Sequence, residues 1–88
     1  MAQLNTKSFT EVDINFTDVE DVKSFIRTNC TYDDQIDVCS DGFVVDGKSI
    51  LGVLSLDLSK KVTVRVYGEK ASSFAKNIKD LFLHHKEV

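Results

Sequence analysis

Four groups of side chains in this sequence are capable of chemistry. Asp18, Glu20 and Asp21 place three carboxylates within one helical turn of each other. Paired carboxylates act as general acid and base when a pocket separates their pKa values and a nucleophile or metal lies beside them. No such pocket or partner can be located from the sequence. Asp18 and Asp21 alone supply too few oxygen ligands to hold calcium or magnesium tightly. Acids in the first turn of a helix have a simpler role, because free backbone N–H groups and the positive end of the dipole favour negative charge there. Ser49 stands directly ahead of an apolar run, where its hydroxyl caps a helix. His84 and His85 lie together near the C-terminus, where imidazolium is mildly favourable at a helix end. Cys30 and Cys39 are too few and wrongly spaced for a zinc site or a CxxC pair, and are expected to be packing residues.

These groups are carried by a short chain. Its 88 residues leave room for one core, so a single domain over 1–88 is expected. A hydrophobic fraction of 42% with 28% charged residues fits a water-soluble globule, and no apolar run is long enough to span a bilayer. Met1 to Lys7 is polar and lacks the features of a secretory signal, so a cytoplasmic location is expected. The net charge is −3, with Lys60, Lys61, Lys70, Lys76, Lys79 and Lys86 all in the second half. This distribution gives no broad cationic face, which argues against nucleic acid as a partner.

Hydropathy period supplies the elements that must position these groups. Thr10 to Phe16 alternates, with Thr10, Val12, Ile14 and Phe16 on one face, as in a half-buried strand. Thr17 and Glu20 then form a capping box ahead of a helix with Val19, Val22, Phe25 and Ile26 on its buried side, ending near Asn29 and Cys30. Ile36 and Val38 mark a second strand, and Asp41-Gly42 a tight turn into a third at Phe43, Val44 and Val45. Ile50 to Leu54, interrupted by Gly52, suits a short or distorted helix. Val62, Val64 and Val66 alternate with Thr63, Arg65 and Tyr67 in a fourth strand. Ala71, Phe74, Ala75, Ile78, Leu81 and Phe82 recur at steps of three and four in an amphipathic last helix. The order βαββαβα predicts an open-faced α/β (α+β) sandwich, with helices on one side of an antiparallel sheet and water on the other.

The stretch Lys48-Ser49-Ile50-Leu51-Gly52-Val53-Leu54-Ser55-Leu56 resembles the segment of the histidine-containing phosphocarrier protein (HPr) of the bacterial sugar phosphotransferase system that carries a regulatory serine and the short helix after it. With the βαββαβα order, the Met1-Ala2-Gln3 start and the passage Val62 to Glu69, the likeness extends over essentially the whole chain. It implies a strand order 1-4-2-3 with three helices on one face, which periodicity alone does not give.

The resemblance also implies what is missing. HPr holds a phosphoryl group on a histidine just ahead of its first long helix, in a Gly-x-His-x-Arg-Pro motif. A gapless count from Ser49 puts the histidine position at Asp18, the arginine position at Glu20 and the proline position at Asp21. No histidine occurs before His84. Three carboxylates at a helix start repel phosphate and satisfy the dipole themselves. The expectation is a protein without a catalytic residue, cofactor or metal, with the phosphohistidine site lost. It would act by binding other proteins, among them phosphotransferase-system components or a transcriptional regulator, with its oligomeric state left open. Ser49 matches the serine phosphorylated by a dedicated kinase in related proteins, including the Crh type, which lacks the histidine but keeps the arginine that Glu20 replaces here. Ile50, Leu51 and Leu54 match the apolar surface on which that family docks partners. A small enzyme using Asp18, Glu20 and Asp21 is the competing expectation, and it requires a concave pocket beside them.

Overall fold

The computed structural model describes residues 8–84. Its elements run β1 (Phe9–Ile14), α1 (Val19–Asn29), β2 (Ile36–Ser40), β3 (Phe43–Asp46), α2 (Ile50–Leu54), β4 (Val62–Tyr67) and α3 (Ala71–Phe82). The four strands form one antiparallel sheet in the order β1-β4-β2-β3, so the last strand in sequence lies in the middle. Register places Val12 opposite Val64, and Val64 opposite Val38, on the inner face. Ile14, Ile36, Val62 and Val66 share that face, and the helices cover it with Val22, Phe25, Val53, Ala75, Ile78 and Phe82. Three rings set the end of the core nearest the start of α1. Phe25 meets Phe16 edge-on at 5.1 Å and Phe82 at 5.5 Å, both ordinary aromatic spacings.

The outer face of the sheet is polar and cross-linked. Glu11, Arg65 and Asp37 lie side by side on β1, β4 and β2, and Arg65 Nε donates to Glu11 at 2.7 Å. The same guanidinium sits 5.3 Å from the centre of the Phe9 ring, a cation–π distance. Such alternation, apolar inward and polar outward, is what the period-2 pattern of β4 requires.

Two tight connections fix the β2–β3–α2 unit. Asp41 and Gly42 both have positive φ, 49° and 84°, the backbone of a type I′ turn, and Ser40 pairs directly with Phe43. Past β3, Gly47 N–H donates to the Ile36 carbonyl at 2.8 Å, and a Cβ on Gly47 would lie 2.6 Å from Ile36 Cγ2. Only glycine lets the chain come this close before turning into α2. Asn29, fully buried at the end of α1, ties the same place down by donating to the Gly47 carbonyl at 2.7 Å.

Several local expectations need correction. β1 spans Phe9–Ile14 rather than Thr10 to Phe16, since Asn15 leaves the ladder and its N–H donates to the Phe82 carbonyl instead. The N-cap of α1 is Asp18, not Thr17, so the box is displaced by one residue. Neither cysteine is a core residue. Cys30 is exposed at the C-cap of α1, and Cys39 is half-buried on the outer face of β2, where burial raises its thiol pKa. His84 lies beyond the end of α3 and belongs to no helix.

Candidate functional site

The start of α1 brings together residues from both ends of the chain. Asp18 has extended backbone and its carboxylate accepts from Asp21 N–H at 2.9 Å, the N-cap bond that satisfies a donor with no partner inside the helix. Asp21 reciprocates one residue further back. Its Oδ2 accepts from Thr17 N–H at 3.0 Å and from the Thr17 hydroxyl at 3.3 Å. Glu20 points outward to Lys23, a 3.2 Å ion pair between exposed side chains. The three acids therefore have distinct structural tasks. Asp18 and Glu20 are exposed, whereas the Asp21 side chain is only 17% exposed.

Asp21 is shielded because His84 covers it. His84 Nε2 lies 2.8 Å from Asp21 Oδ2. The imidazole is held there by its own backbone, since His84 N–H donates to Asn15 Oδ1 at 2.8 Å and Asn15 Nδ2 donates to the His84 carbonyl at 3.0 Å. This paired contact, with Asn15 N–H on the Phe82 carbonyl, docks the end of α3 onto the β1–α1 loop. Neither Asn15 nor the His84–Asp21 pair was anticipated from sequence. No local pattern carries the signal, because the partners are 69 and 63 positions apart. His85 lies outside the described residues.

The second group is carried by α2. Ser49 is its N-cap, and Ser49 Oγ accepts from Gly52 N–H at 3.2 Å. The hydroxyl is half-buried, and the first turn of this helix contains no acid. Lys48 is anchored the other way, its ammonium donating to the Tyr32 carbonyl at 2.6 Å. Of the apolar residues that follow, Ile50 packs against the core, while Leu51 is 79% exposed and Leu54 39% exposed. Val53 faces inward and is fully buried. A five-residue helix thus presents one apolar side to the core and another to solvent.

Concave surface near the acid cluster is divided in two. A cavity of about 190 Å³ beside Asp18 is walled by Phe16, Val19, Val22 and Leu58. A larger one, about 780 Å³, opens between the β1–α1 loop, the 58–61 loop and the docked segment at His84. Among the described residues no three His, Cys, Asp or Glu side chains gather as a metal site. None of the described helices is long and apolar enough to cross a membrane.

The family model for the HPr component of the phosphotransferase system (PTS), described as "PTS HPr component phosphorylation site", matches residues 6–83. Among solved structures, the chain is similar to the crystal structure of HPr-C-His from Thermoanaerobacter tengcongensis. The two share 28% identity with a TM-score of 0.68, over 84% of this chain and 89% of that one. Among curated proteins none matches. A sheet in the order 1-4-2-3, three helices covering its inner face and a family match across nearly all of the sequence agree: the chain belongs to the HPr family of phosphocarriers.

Proposed function

We propose that this chain is a docking module on a phosphocarrier frame, one that binds other proteins through α2 and no longer carries a phosphoryl group at the start of α1. The observation that carries this is the state of α1's first turn. By the gapless count from Ser49 the family's histidine position is Asp18, and its carboxylate accepts from Asp21 N–H, one of the backbone donors an incoming phosphate would use. The aligned arginine is Glu20, which adds negative charge where a guanidinium would neutralise it. Docking calls on neither a cofactor nor a metal, and in this reading residues 1–88 act as one cytoplasmic domain.

The exposed side of α2 supports the docking half of the proposal. Leu51 at 79% exposure is the most solvent-exposed large apolar side chain described, and Leu54 and Ile50 flank it on the same short helix. Partners are drawn from the phosphotransferase system or from regulators that recognise its carrier. The test is competition. Added to a reaction in which phosphorylated Enzyme I transfers to authentic HPr, the chain should slow transfer, and Leu51→Asp should remove most of that inhibition, a loss of about tenfold or more in apparent affinity for a central apolar anchor. Equal inhibition by the variant would place docking elsewhere.

A second reading concerns Ser49. Its hydroxyl accepts one backbone hydrogen bond and no acid stands in the first turn behind it, so added phosphate meets free N–H groups rather than repulsion. Incubation with the HPr serine kinase and ATP should then add one phosphoryl group that Ser49→Ala abolishes. Enzymatic use of the acid cluster has less support, because Asp18 and Glu20 are exposed and all three carboxylates are engaged in capping, ion pairing or the His84 contact.

A further inference from the structure

The cavity between the β1–α1 loop and the 58–61 loop differs in charge from the others. Lys60, Lys61 and His84 line it, with the hydroxyl-bearing Thr17 and Ser59, and it has no carboxylate among its lining residues. The cavities beside Tyr32, below β3, at the β1 edge and next to Asp18 each have at least one. In a chain with 14 acids against 11 lysines and arginines, a concave surface with two lysines and no carboxylate in its lining is against the average, with Asp21 lying behind the imidazole. Lys61 makes no ion pair or hydrogen bond among the described residues, and it stands between this cavity and the β1-edge cavity that holds Glu11 and Asp13. Lys60 is shared between Asp41 at 3.0 Å and Asp57 at 3.9 Å, both exposed pairs that are weak and readily re-formed. Asp21 fixes the imidazole through Nε2 and leaves the other ring nitrogen without a partner among the described residues. Leu58 and Leu83 supply an apolar wall.

We propose that this cavity binds a small organic phosphate monoester, with Lys61, Lys60 and His84 around the phosphate and Leu58 and Leu83 against the carbon portion. Two lysines and an imidazole match a dianion better than a monoanion, because each added charge deepens the attraction in a partly enclosed site. A volume of about 780 Å³ is larger than a bare phosphate needs and falls in the range that holds a small organic ligand. The phosphate is recognised and not transferred, so no bond is made or broken. The site is separate from the exposed side of α2, and failure here leaves the docking proposal standing.

The test is NMR titration of the 15N-labelled protein with phenyl phosphate, inorganic phosphate and phenol in turn. Phenyl phosphate should bind saturably in the millimolar range or tighter, shifting the amides of Thr17, Ser59, Lys61 and His84, with inorganic phosphate weaker and phenol silent. Lys61→Gln should weaken phenyl phosphate by about tenfold, the loss of one charge-assisted contact, while Lys76→Gln, on the exposed side of α3, should not. Lys61 is exposed, so its variant retains the fold. Equal affinity of Lys61→Gln and the parent, equal binding of phenol, or absence of saturation would overturn the proposal. Tighter binding of a phosphoserine peptide than of phenyl phosphate would overturn the small-molecule assignment.

Discussion

At the scale of single residues, Asp18 and Asp21 show how carboxylates stabilise a helix start that they also make less hospitable to an anion. Asp18 takes one orphan N–H, and Asp21 takes Thr17 N–H and the His84 imidazole. Asp18→Ala removes the cap and should destabilise the protein by about 1 kcal/mol, read from the urea midpoint, with Asp18→Asn recovering most of it. That acids would cap this helix was legible, because Thr17, Asp18, Glu20 and Asp21 are all residues a helix start favours. On paper Thr17 with Glu20 is the better match to the capping-box pattern, yet the helix starts one residue later, at Asp18. Packing favours the later start, since Asp21 in the reciprocal position can also meet His84. His84 itself was not legible as a partner, because the contact depends on where α3 ends in space and not on neighbours in sequence.

At the scale of elements, the parts with a strong period or a demanding turn were readable and those set by tertiary contact were not. Asp41-Gly42 announced the hairpin because few other dipeptides accept two positive φ values in succession. Ile50 to Leu54 was helical despite Gly52 because Ser49 caps it, while the exposure of Leu51 depends on how α2 sits against β3. Gly47 follows β3, and the close approach of Ile36 makes it a packing requirement there. Gly47→Ala must push either Ile36 or the β3–α2 connection outward. It should cost about 1–3 kcal/mol, as overpacking in a closed core does, and a thermal melt would show it as a lowered midpoint. An unchanged midpoint would mean that the connection yields without cost. Gly42→Ala is a useful contrast, since open space surrounds that position and its penalty comes from the positive φ alone.

At the scale of the whole molecule, the layered architecture followed from alternation in the strands and three- and four-residue spacing in the helices, and the inner face observed is the one those patterns mark except at Val19 and Leu81, which are exposed. Strand order is different in kind. Placing β4 between β1 and β2 rests on long-range pairing that no local period encodes, and it was available only through likeness to a known family. The same likeness sharpens the functional question, because the chain has the fold of a phosphocarrier family and no histidine before His84. The central claim is that the start of α1 no longer accepts a phosphoryl group. Intact-mass analysis after incubation with Enzyme I and phosphoenolpyruvate, measured without acid, tests it most directly. An unchanged mass, beside full phosphorylation of an authentic HPr in the same tube, is the predicted result. A gain of one phosphoryl group, lost in His84→Gln or His85→Gln, would contradict the claim and show that the carrier function had moved to the C-terminal imidazoles.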